Sequence, residues 1–346
     1  MRFQRLQVFV WCFVSAVLLN PVPQAQGAHA QQVVAPHPAP DAVPAQPPAD
    51  SSPRDRRADE DWNSLALSPG TLHAEGPVPG GKDGQPEFTR ELWQVQWRQT
   101  DPIDLYVIRP RGVEKPPAIL YLYSYPSETD RFKDDGYCRR VTADGFAAIG
   151  FVSALTGQRY HTRPMKQWFV SELQESLVTS VHDVQMILNY LSTRGDVDMD
   201  RVGMFGQGSG GTIALLAAAV DPRIKALDVL DPWGDWPDWL AKSPRVPDEE
   251  RANYLNPEFL KRVAPFDPVQ WLPKLKTQFI RIQDVVDDPI TPAICKKQIE
   301  SAAAQTTAQI VKYDGAEALR NASSDGKLFR WIKDQLRSAP DRREAE

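Results

Sequence analysis

Apolar residues from Glu91 onward occur either in short continuous runs or at helical spacing. The run AILYLY at 118–123 is typical of a strand that is covered on both faces of a sheet. In 165–192, valine, isoleucine and leucine recur near helical spacing, which predicts a long amphipathic helix. The alternating segments 92–97 and 104–109 predict an antiparallel pair of strands. Further strands are predicted at 146–153, 202–205, 224–230, 279–283 and 308–313, and further helices at 131–143, 212–220, 257–264 and 328–336.

The predicted strands alternate with the predicted helices along this part of the chain. Neighbouring parallel strands need a crossover connection, and a helix between two strands supplies it. The pattern therefore predicts an α/β fold with a mostly parallel central sheet and helices on both of its faces. The span 59–346 has the length of one large domain.

The first 58 residues have a different composition. Arg2 and Arg5 precede an apolar run at 8–19 that is short for a membrane span, and Ala28-His29-Ala30 has the form of a cleavage site. These features predict a signal peptide at 1–30, with an uncleaved anchor as the alternative. The segment 31–58 is rich in proline and alanine, which predicts a disordered linker. We therefore expect a secreted or periplasmic protein with no membrane span after cleavage near Ala30.

Charge and cysteine content narrow the classes of partner and cofactor. The net charge is −5 at pH 7 and no basic run stands out, which argues against a nucleic-acid partner. Cleavage leaves Cys138 and Cys295, whose spacing does not show whether they meet in a disulfide. Two cysteines make no zinc site, and we expect neither a metal nor another cofactor. The sequence does not indicate an oligomeric state.

The segment 201–220, RVGMFGQGSGGTIALLAAAV, predicts a strand, a glycine-rich turn and a helix. One interpretation is the nucleophile elbow G-x-S-x-G, in which a strained turn presents a serine. Gly206 and Gly210 then take the outer positions and Gly208 takes the central one. A serine follows one position later, as Ser209.

Two other interpretations fit the same glycines. Gly206, Gly208 and Gly211 match the dinucleotide fingerprint G-x-G-x-x-G, and Asp231 lies where a ribose-binding acid is expected. Alternatively, the glycines only let the helix pack closely against the sheet. A dinucleotide fingerprint is usually at the first strand of its unit, whereas this turn follows several predicted strands, which favours the elbow.

Three segments together resemble the α/β-hydrolase superfamily, especially its dienelactone-hydrolase and prolyl-oligopeptidase-like branches. They are RVGMFGQGSGGTIALLAAAVDPRIKA for the elbow, FDPVQWLPKLKTQFIRIQDVVDDPITP for the catalytic acid and AQIVKYDGAEA for the loop that carries the histidine. The resemblance runs from about Leu92 to Leu336. It implies an α/β-hydrolase fold with a small cap inserted at about 232–272, and esterase-like or peptidase-like chemistry with a Ser–acid–His triad.

Carried over by position, the triad of that family is incomplete. The serine position falls on Gly208, the acid position on Asp287 or its neighbour Asp288, and the histidine position on Ala318. All five histidines precede the elbow, so no shift of register supplies a base in the family's chain order. A serine without a base is a weak nucleophile, and glycine relieves the strain of the elbow position. The chain is therefore predicted to be a pseudo-hydrolase.

Residues that would restore catalysis have plainer roles as well. Ser209 paired with His161, which follows the strand 146–153, would make an unusual active site. Ser209 would otherwise line or cap the helix start, and His161 would be a surface residue. Asp287 and Asp288 precede Pro289, which also fits a turn or a helix cap.

Candidate ligand contacts come from two segments. Ser124 and Tyr125 follow the strand 118–123, where many relatives carry His-Gly, so the permissive glycine of an oxyanion loop is missing here. In DPWGDWPDW at 231–239, tryptophans alternate with acids. This segment is either a stacking surface for a sugar or an aromatic ligand, or the small core of the cap. Its tryptophans are Trp233, Trp236 and Trp239.

The sequence thus leaves several functions open. The leading hypothesis is a non-catalytic protein that binds a small molecule or a partner through the retained pocket. The alternatives are a secreted serine esterase or peptidase that uses Ser209, a dinucleotide-binding protein that uses Gly206, Gly208 and Gly211, and a purely structural envelope protein.

Overall fold

The computed structural model describes residues 64–65, 72–98, 101–155 and 169–338. The predicted signal peptide, the predicted linker and His161 lie outside these residues. Within them, nine strands form one sheet. The strands are β1 (Val78–Gly84), β2 (Phe88–Val95), β3 (Ile103–Pro110), β4 (Pro117–Leu122), β5 (Ala147–Phe151), β6 (Asp198–Gln207), β7 (Ile224–Leu230), β8 (Phe279–Val285) and β9 (Gln309–Tyr313).

The α-helices of the described residues follow most of the later strands. Most of them connect strands of the sheet, while four short ones fall between β7 and β8. The helices are α1 (Asp135–Thr142), α2 (Leu173–Arg194), α3 (Ser209–Val220), α4 (Trp236–Lys242), α5 (Arg251–Tyr254), α6 (Pro257–Val263), α7 (Pro268–Trp271), α8 (Ala293–Ala303), α9 (Ala316–Ser324) and α10 (Lys327–Ser338).

The strand order in the sheet is β1-β2-β3-β5-β4-β6-β7-β8-β9. Pairing is antiparallel from β1 to β3 and between β3 and β5, and it is parallel from β5 through to β9. The chain leaves β4 toward one edge of the sheet and leaves β6 toward the other. The direction of winding therefore changes between these two strands, which are neighbours in the sheet.

Two hydrophobic cores cover the two faces of the sheet, and β4 shows why. All six of its residues are buried, and successive side chains of a strand point to opposite faces. Leu120 and Leu122 belong to the core that contains α2 and α3, whereas Ile119 and Tyr121 belong to the core that contains α1 and α10. The predicted α/β architecture is confirmed.

Glycine is required where β6 turns into α3. A Cβ at Gly206 would lie 2.4 Å from the carbonyl oxygen of Gly210, and a Cβ at Gly210 would lie 2.1 Å from that of Leu122. Both contacts are with backbone atoms, so no side-chain rotation relieves them. The strand-to-helix turn can therefore be this tight only with glycine at both positions.

The sequence-predicted elements match the structure where apolar spacing is strong. The helix predicted near 257–264 is α6, and the side chain of Asn256 accepts a hydrogen bond from Phe259 N–H as its cap. The inserted segment 232–272 contains α4, α5, α6 and α7. The sequence predicted neither β1 nor the helices α4, α5, α7, α8 and α9 as individual elements. β1 is the sequence VPGGKDG, whose residues are all exposed, so it carries no apolar alternation to detect.

The two cysteines of the described residues do not meet. Cys138 and Cys295 are both free and buried. Cys138 belongs to the core on the α10 side of the sheet, and Cys295 belongs to the core on the α3 side. Among the residues that the structure describes, no helix is long and apolar enough to cross a membrane.

Candidate functional site

Two loops meet where the winding of the sheet changes direction. Ser124 and Tyr125 come after β4, and Gly208 and Ser209 come after β6. The connections from β4 and β6 lead to opposite sides, and in open α/β sheets this is the point at which a crevice forms outside the carboxyl ends of the strands. The predicted elbow therefore lies where open α/β sheets bind their ligands.

Gly208 has a backbone conformation that other residues adopt only with strain. Its φ is +55° and its ψ is −121°. A non-glycine residue held in a sparsely populated region of this kind costs roughly 1–3 kcal/mol, which glycine avoids. The turn thus has the sharp strand-to-helix geometry of a nucleophile elbow, with glycine at its centre.

The space beside Gly208 is occupied by Ser124. An ideal Cβ at position 208 would lie 2.6 Å from Ser124 Oγ and 2.9 Å from Ser124 Cβ. It would also lie 3.3 Å from Nε1 of Trp233. Carbon atoms do not approach other heavy atoms this closely, so a side chain at position 208 requires Ser124 to move. The Ser124 side chain therefore fills the space that an elbow nucleophile needs.

The hydroxyl of Ser209 is turned toward a loop, away from solvent. Ser209 is 1% exposed, and its Oγ accepts a hydrogen bond from Tyr125 N–H at 2.9 Å. Ser209 is the first residue of α3, and Gly208 takes the N-cap position. Of the two plain roles expected for Ser209, the structure shows lining of the helix start. Its hydroxyl ties the loop after β4 to α3.

This hydrogen bond affects the oxyanion hole as well. At a nucleophile elbow, one donor is the N–H of the residue after the nucleophile and the other comes from the loop that follows the strand next to the elbow strand. Tyr125 lies in that loop, and its N–H is directed at Ser209 Oγ. One of the two expected donors is therefore already paired within the protein.

The family positions of the acid and the histidine lie next to each other. Asp287 follows β8, and Gly315 and Ala318 follow β9, its parallel neighbour. An ideal Cβ at Gly315, where φ is +91°, would lie 3.1 Å from Asp287 Oδ2. Ala318 lies in the first turn of α9. The carboxylate of Asp287 thus borders the segment from which the family's histidine would come.

The histidines of the described residues are elsewhere. His73 precedes β1 and is exposed, whereas His182 lies in the middle of α2 and is fully buried. His182 Nε2 lies 3.1 Å from the carbonyl oxygen of Ser64, and its ring packs edge-to-face on Trp97. Neither residue is in a loop that follows β4, β6, β7, β8 or β9.

Asp288 accepts a hydrogen bond from Thr291 N–H at 2.8 Å, as a turn residue does.

A buried polar cluster supports the neighbouring loops. Asp231 Oδ1 accepts a hydrogen bond from Val285 N–H at 2.9 Å and lies 3.4 Å from Lys296 Nζ, which also donates to Val285 O. Burial raises the pKa of Asp231 to about 6. Burial, together with the nearby Asp231 and Glu300, raises the pKa of Asp284 to about 7. Asp231 thus ties the segment after β7 to the end of β8, whereas Oδ2 of Asp284 is buried without a hydrogen-bond partner among the described residues.

The sequence did not identify Asp284 and Lys296 as a buried charged group, and it did not identify the buried pair of Ser153 and Glu128. Asp284 interrupts the apolar strand FIRIQDV, and a charged residue inside such a run was the available signal. Ser153, just after β5, donates a hydrogen bond to Glu128 Oε1 at 2.5 Å, which holds the loop after β4 near that strand. Glu128 is isolated in a polar segment, so no pattern in the sequence marks it.

The three tryptophans of the cap segment are 0–1% exposed. Trp233 stacks on Trp239 at 4.8 Å between ring centroids, and Trp236 packs edge-to-face on Trp239. This placement differs from the open stacking surface that the alternation with acids suggested, because the rings cover one another. Of the three tryptophans, Trp233 lies nearest to the elbow turn, because its indole Nε1 would be 3.3 Å from a Cβ at Gly208. Ser124 and Tyr125 are half-buried beside it.

The dinucleotide interpretation meets two obstacles in the structure. A Cβ at Gly211 would lie 3.1 Å from Pro232, and Gly206 faces the backbone of Gly210, so these glycines serve protein packing. Asp231 is 7% exposed and is bonded to Val285 and Lys296. The acid that would hold a ribose is therefore paired with protein groups.

No family model matches the chain. Among curated proteins, YtaP of Bacillus subtilis (strain 168), provisionally named a hydrolase, is 29% identical over 137 residues. The match covers 35% of this chain and 45% of YtaP, so it spans less than half the length of that relative.

Solved structures of esterases and peptidases are similar over most of the chain. Acetyl xylan esterase 1 from Thermoanaerobacterium sp. JW/SL YS485 has a TM-score of 0.61 at 16% identity, covering 77% of this chain and 91% of the esterase. The acetyl xylan esterase from Paenibacillus sp. R4 has a TM-score of 0.58 at 15% identity, and the match covers 79% of this chain and 92% of that esterase. The acylaminoacyl peptidase of Pyrococcus horikoshii has a TM-score of 0.53 at 12% identity, and the match covers 75% of this chain and 49% of the peptidase. At these identities the similarity shows a shared fold.

Proposed function

We propose that this chain, which has the α/β-hydrolase fold, is a non-catalytic member of that fold and binds a small molecule at the carboxyl ends of β4 and β6. The observation that carries the proposal is the pairing of Gly208 with Ser124. The elbow conformation is present, but the space for a nucleophile's side chain is filled by the neighbouring loop.

Serine-dependent acyl transfer needs a hydroxyl, a base that takes its proton and donors that stabilise the oxyanion. Position 208 offers no hydroxyl, and position 318 offers no imidazole. The N–H of Tyr125 is bonded to Ser209. The hydroxyl and the base are therefore absent at the positions where the fold would supply them, and one of the two oxyanion donors is already paired within the protein.

Groups suited to ligand binding remain in the same place. Ser124 and Tyr125 are half-buried, and the indole Nε1 of Trp233 lies beside Gly208. A hydroxyl and an aromatic ring at the mouth of a crevice bind small molecules by hydrogen bonding and by burial of apolar surface. The loops that carry them are held by buried hydrogen bonds, so the site is formed before a ligand arrives.

An active hydrolase is the second candidate, because the similar proteins named above are hydrolases or peptidases. Its nucleophile would be Ser209, with His161 as a base from outside the described residues. Ser209 would first have to give up its hydrogen bond with Tyr125 and become exposed. The buried position of the hydroxyl favours the non-catalytic proposal.

Labelling with a fluorophosphonate, read by intact mass on the folded full-length protein, separates the two candidates. We expect no adduct and no hydrolysis of p-nitrophenyl acetate above that of the matched variants Ser209→Ala and Ser124→Ala. An adduct that maps to Ser209 and is absent from Ser209→Ala would overturn the proposal. An adduct at Ser124 would overturn it too, and it would place the nucleophile on the loop after β4.

A further inference from the structure

A separate cleft lies between the inserted helices and α8. Its volume is about 460 Å³, within the range of small-molecule sites. Asp235 and Trp236 border it at the start of α4, Leu260 and Lys261 on α6, and Gln298 on α8. Neither Gly208 nor any of the residues beside it lines this cleft. An inference about the cleft is therefore independent of the function proposed for the elbow.

Much of the cleft wall is apolar. Leu260, Ala264 and Val269 line it, together with Pro237. Such a surface gains free energy when it is covered by an apolar body, at roughly 25 cal/mol per Å² of apolar area removed from water. The wall alone does not distinguish one apolar ligand from another, so the polar groups must determine the chemistry.

Asp235 is the polar group that is not satisfied by the protein. It is half-buried, and its Oδ2 is enclosed without a hydrogen-bond partner among the described residues. An acceptor buried without a donor costs free energy, more so when it is charged. The torsion that turns a carboxylate about its Cβ–Cγ bond is soft, so either oxygen can be presented to the cleft. A ligand with a donor at this point would remove the cost.

The backbone at Asp235 is also unusual. Its φ is +58° and its ψ is +63°, a left-handed conformation in a residue that is not glycine. Aspartate and asparagine tolerate this region better than most residues, yet it is sparsely populated. The N–H groups of Asp235 and Trp236 both donate to the carboxylate of Asp267 at 2.9 Å, which holds this conformation in place.

The charges around Asp235 favour a cationic ligand. Asp267 accepts from three backbone N–H groups, so its oxygens are already used. Asp238 is paired with Lys242 one turn along α4. Lys261 is exposed, and the described residues show no ion pair for it. The carboxylates of Asp235 and Asp267 therefore outnumber the unpaired ammonium group of Lys261 at this cleft.

We propose that the cleft binds a small protonated amine, with its ammonium group on Asp235 and its apolar body against Leu260, Ala264 and Val269. Burial, together with Asp238 and Asp267, raises the pKa of Asp235 to about 6 in the free protein. An ammonium group beside Asp235 favours the ionised form, so the amine binds more tightly as pH rises through about 6.

Calorimetric titration of the full-length protein with benzylamine tests the proposal, with benzyl alcohol as a neutral ligand of the same shape. The matched variants are Asp235→Asn, whose side chain keeps the shape and suits a left-handed backbone, and Asp238→Asn, which removes a neighbouring charge on the same helix. We expect saturable binding of benzylamine, weakened about tenfold or more by Asp235→Asn and changed less than about threefold by Asp238→Asn.

Three results contradict the proposal. Benzyl alcohol binding as tightly as benzylamine would show that the cleft recognises only apolar shape. Equal weakening by Asp235→Asn and Asp238→Asn would reduce the effect to general negative charge. No saturable binding of benzylamine at pH 8 would show that the cleft is not an amine site.

Discussion

A side chain at position 208 would meet Ser124 before it met a substrate. The two residues come from different loops, and each determines what the other position can hold. Glycine at 208 leaves room for Ser124, and Ser124 takes up the room that a nucleophile needs. The side chain that position 208 can hold is therefore a property of a residue pair.

This coupling gives a stability prediction. Gly208→Ser should destabilise the protein by about 2–4 kcal/mol, because it adds backbone strain and a contact with Ser124. Ser124→Gly in the same chain should return part of that loss by removing both Ser124 Oγ and Ser124 Cβ from the contact. Urea unfolding of the two single variants and the double variant measures the coupling.

Ser124→Ala is the graded control, because it removes Oγ and leaves Cβ in place. It should relieve Gly208→Ser less than Ser124→Gly does. If the changes in unfolding free energy of the single variants simply add in both double variants, the contact between position 208 and Ser124 is contradicted.

At this scale the sequence predicted which residues lie at the elbow but not how they pair. The order of glycines located Gly208 and Ser209 correctly at the strand-to-helix turn. The hydrogen bond from Tyr125 N–H to Ser209 Oγ joins positions 84 apart in the chain, and no local pattern encodes it. The tryptophans show the same limit, since alternation with acids does not reveal that the rings cover one another.

Between elements, β7, β8 and α8 are joined through buried charges. Asp231 follows β7, Asp284 lies in β8 and Lys296 lies in α8. One buried ammonium group thus faces two buried carboxyl groups, while Asp288 and Glu300 add further negative charge nearby. Burial, together with this excess of negative charge, raises the pKa values of Asp231 and Asp284.

The pH dependence of stability follows from the sign of these shifts. The pKa of Asp284 is about 7 in the folded protein and near 4 in an unfolded chain. The folded state therefore holds this proton more tightly, and stability falls as pH rises from about 4 to about 7. Asp284→Asn removes this titration and should be more stable than the parent at pH 8 by about 1–3 kcal/mol, with the gain disappearing near pH 4.

Unfolding in urea at several pH values measures the gain. Asp200→Asn is the control, because Asp200 is an exposed aspartate on β6 far along the chain from this cluster. A gain for Asp284→Asn that is equal at pH 4 and pH 8 would mean that ionisation is not its cause.

Elements with strong apolar patterns were predicted, and those without them were missed. β4 and β7 are nearly all buried, so their runs stand out in the sequence. β1 contains glycine and proline and is exposed along its length, and it joins the sheet through backbone pairing with β2. Backbone pairing at a sheet edge does not depend on side-chain pattern, which is why the sequence did not reveal it.

For the molecule as a whole, the fold and the chemistry that is usual for it depend on different residues. The sheet order, the elbow turn and the inserted helices depend on packing within the two hydrophobic cores. Catalysis depends on a few side chains placed at strand ends, and these can be lost while the cores remain. Similarity of fold to esterases therefore does not by itself assign hydrolysis to this chain.

The amino-terminal segment gives a prediction at the same scale. We propose that residues 1–30 direct export and are then removed, because a positive start, a short apolar run and Ala28-His29-Ala30 occur in the required order. Full-length protein expressed in a bacterium should be recovered from the periplasm or medium with Gln31 as its first residue. Intact mass and amino-terminal sequencing provide the measurement, and a membrane-bound form that retains Arg2 and Arg5 would contradict it.

The position of the two thiols has a consequence for how the protein can be made and handled. Cys138 and Cys295 lie in cores on opposite faces of the sheet, so the folded chain cannot join them. A reducing agent therefore removes no cross-link between these cysteines. We therefore expect that residues 31–346 expressed in a reducing cytosol give the folded domain for the stability measurements above.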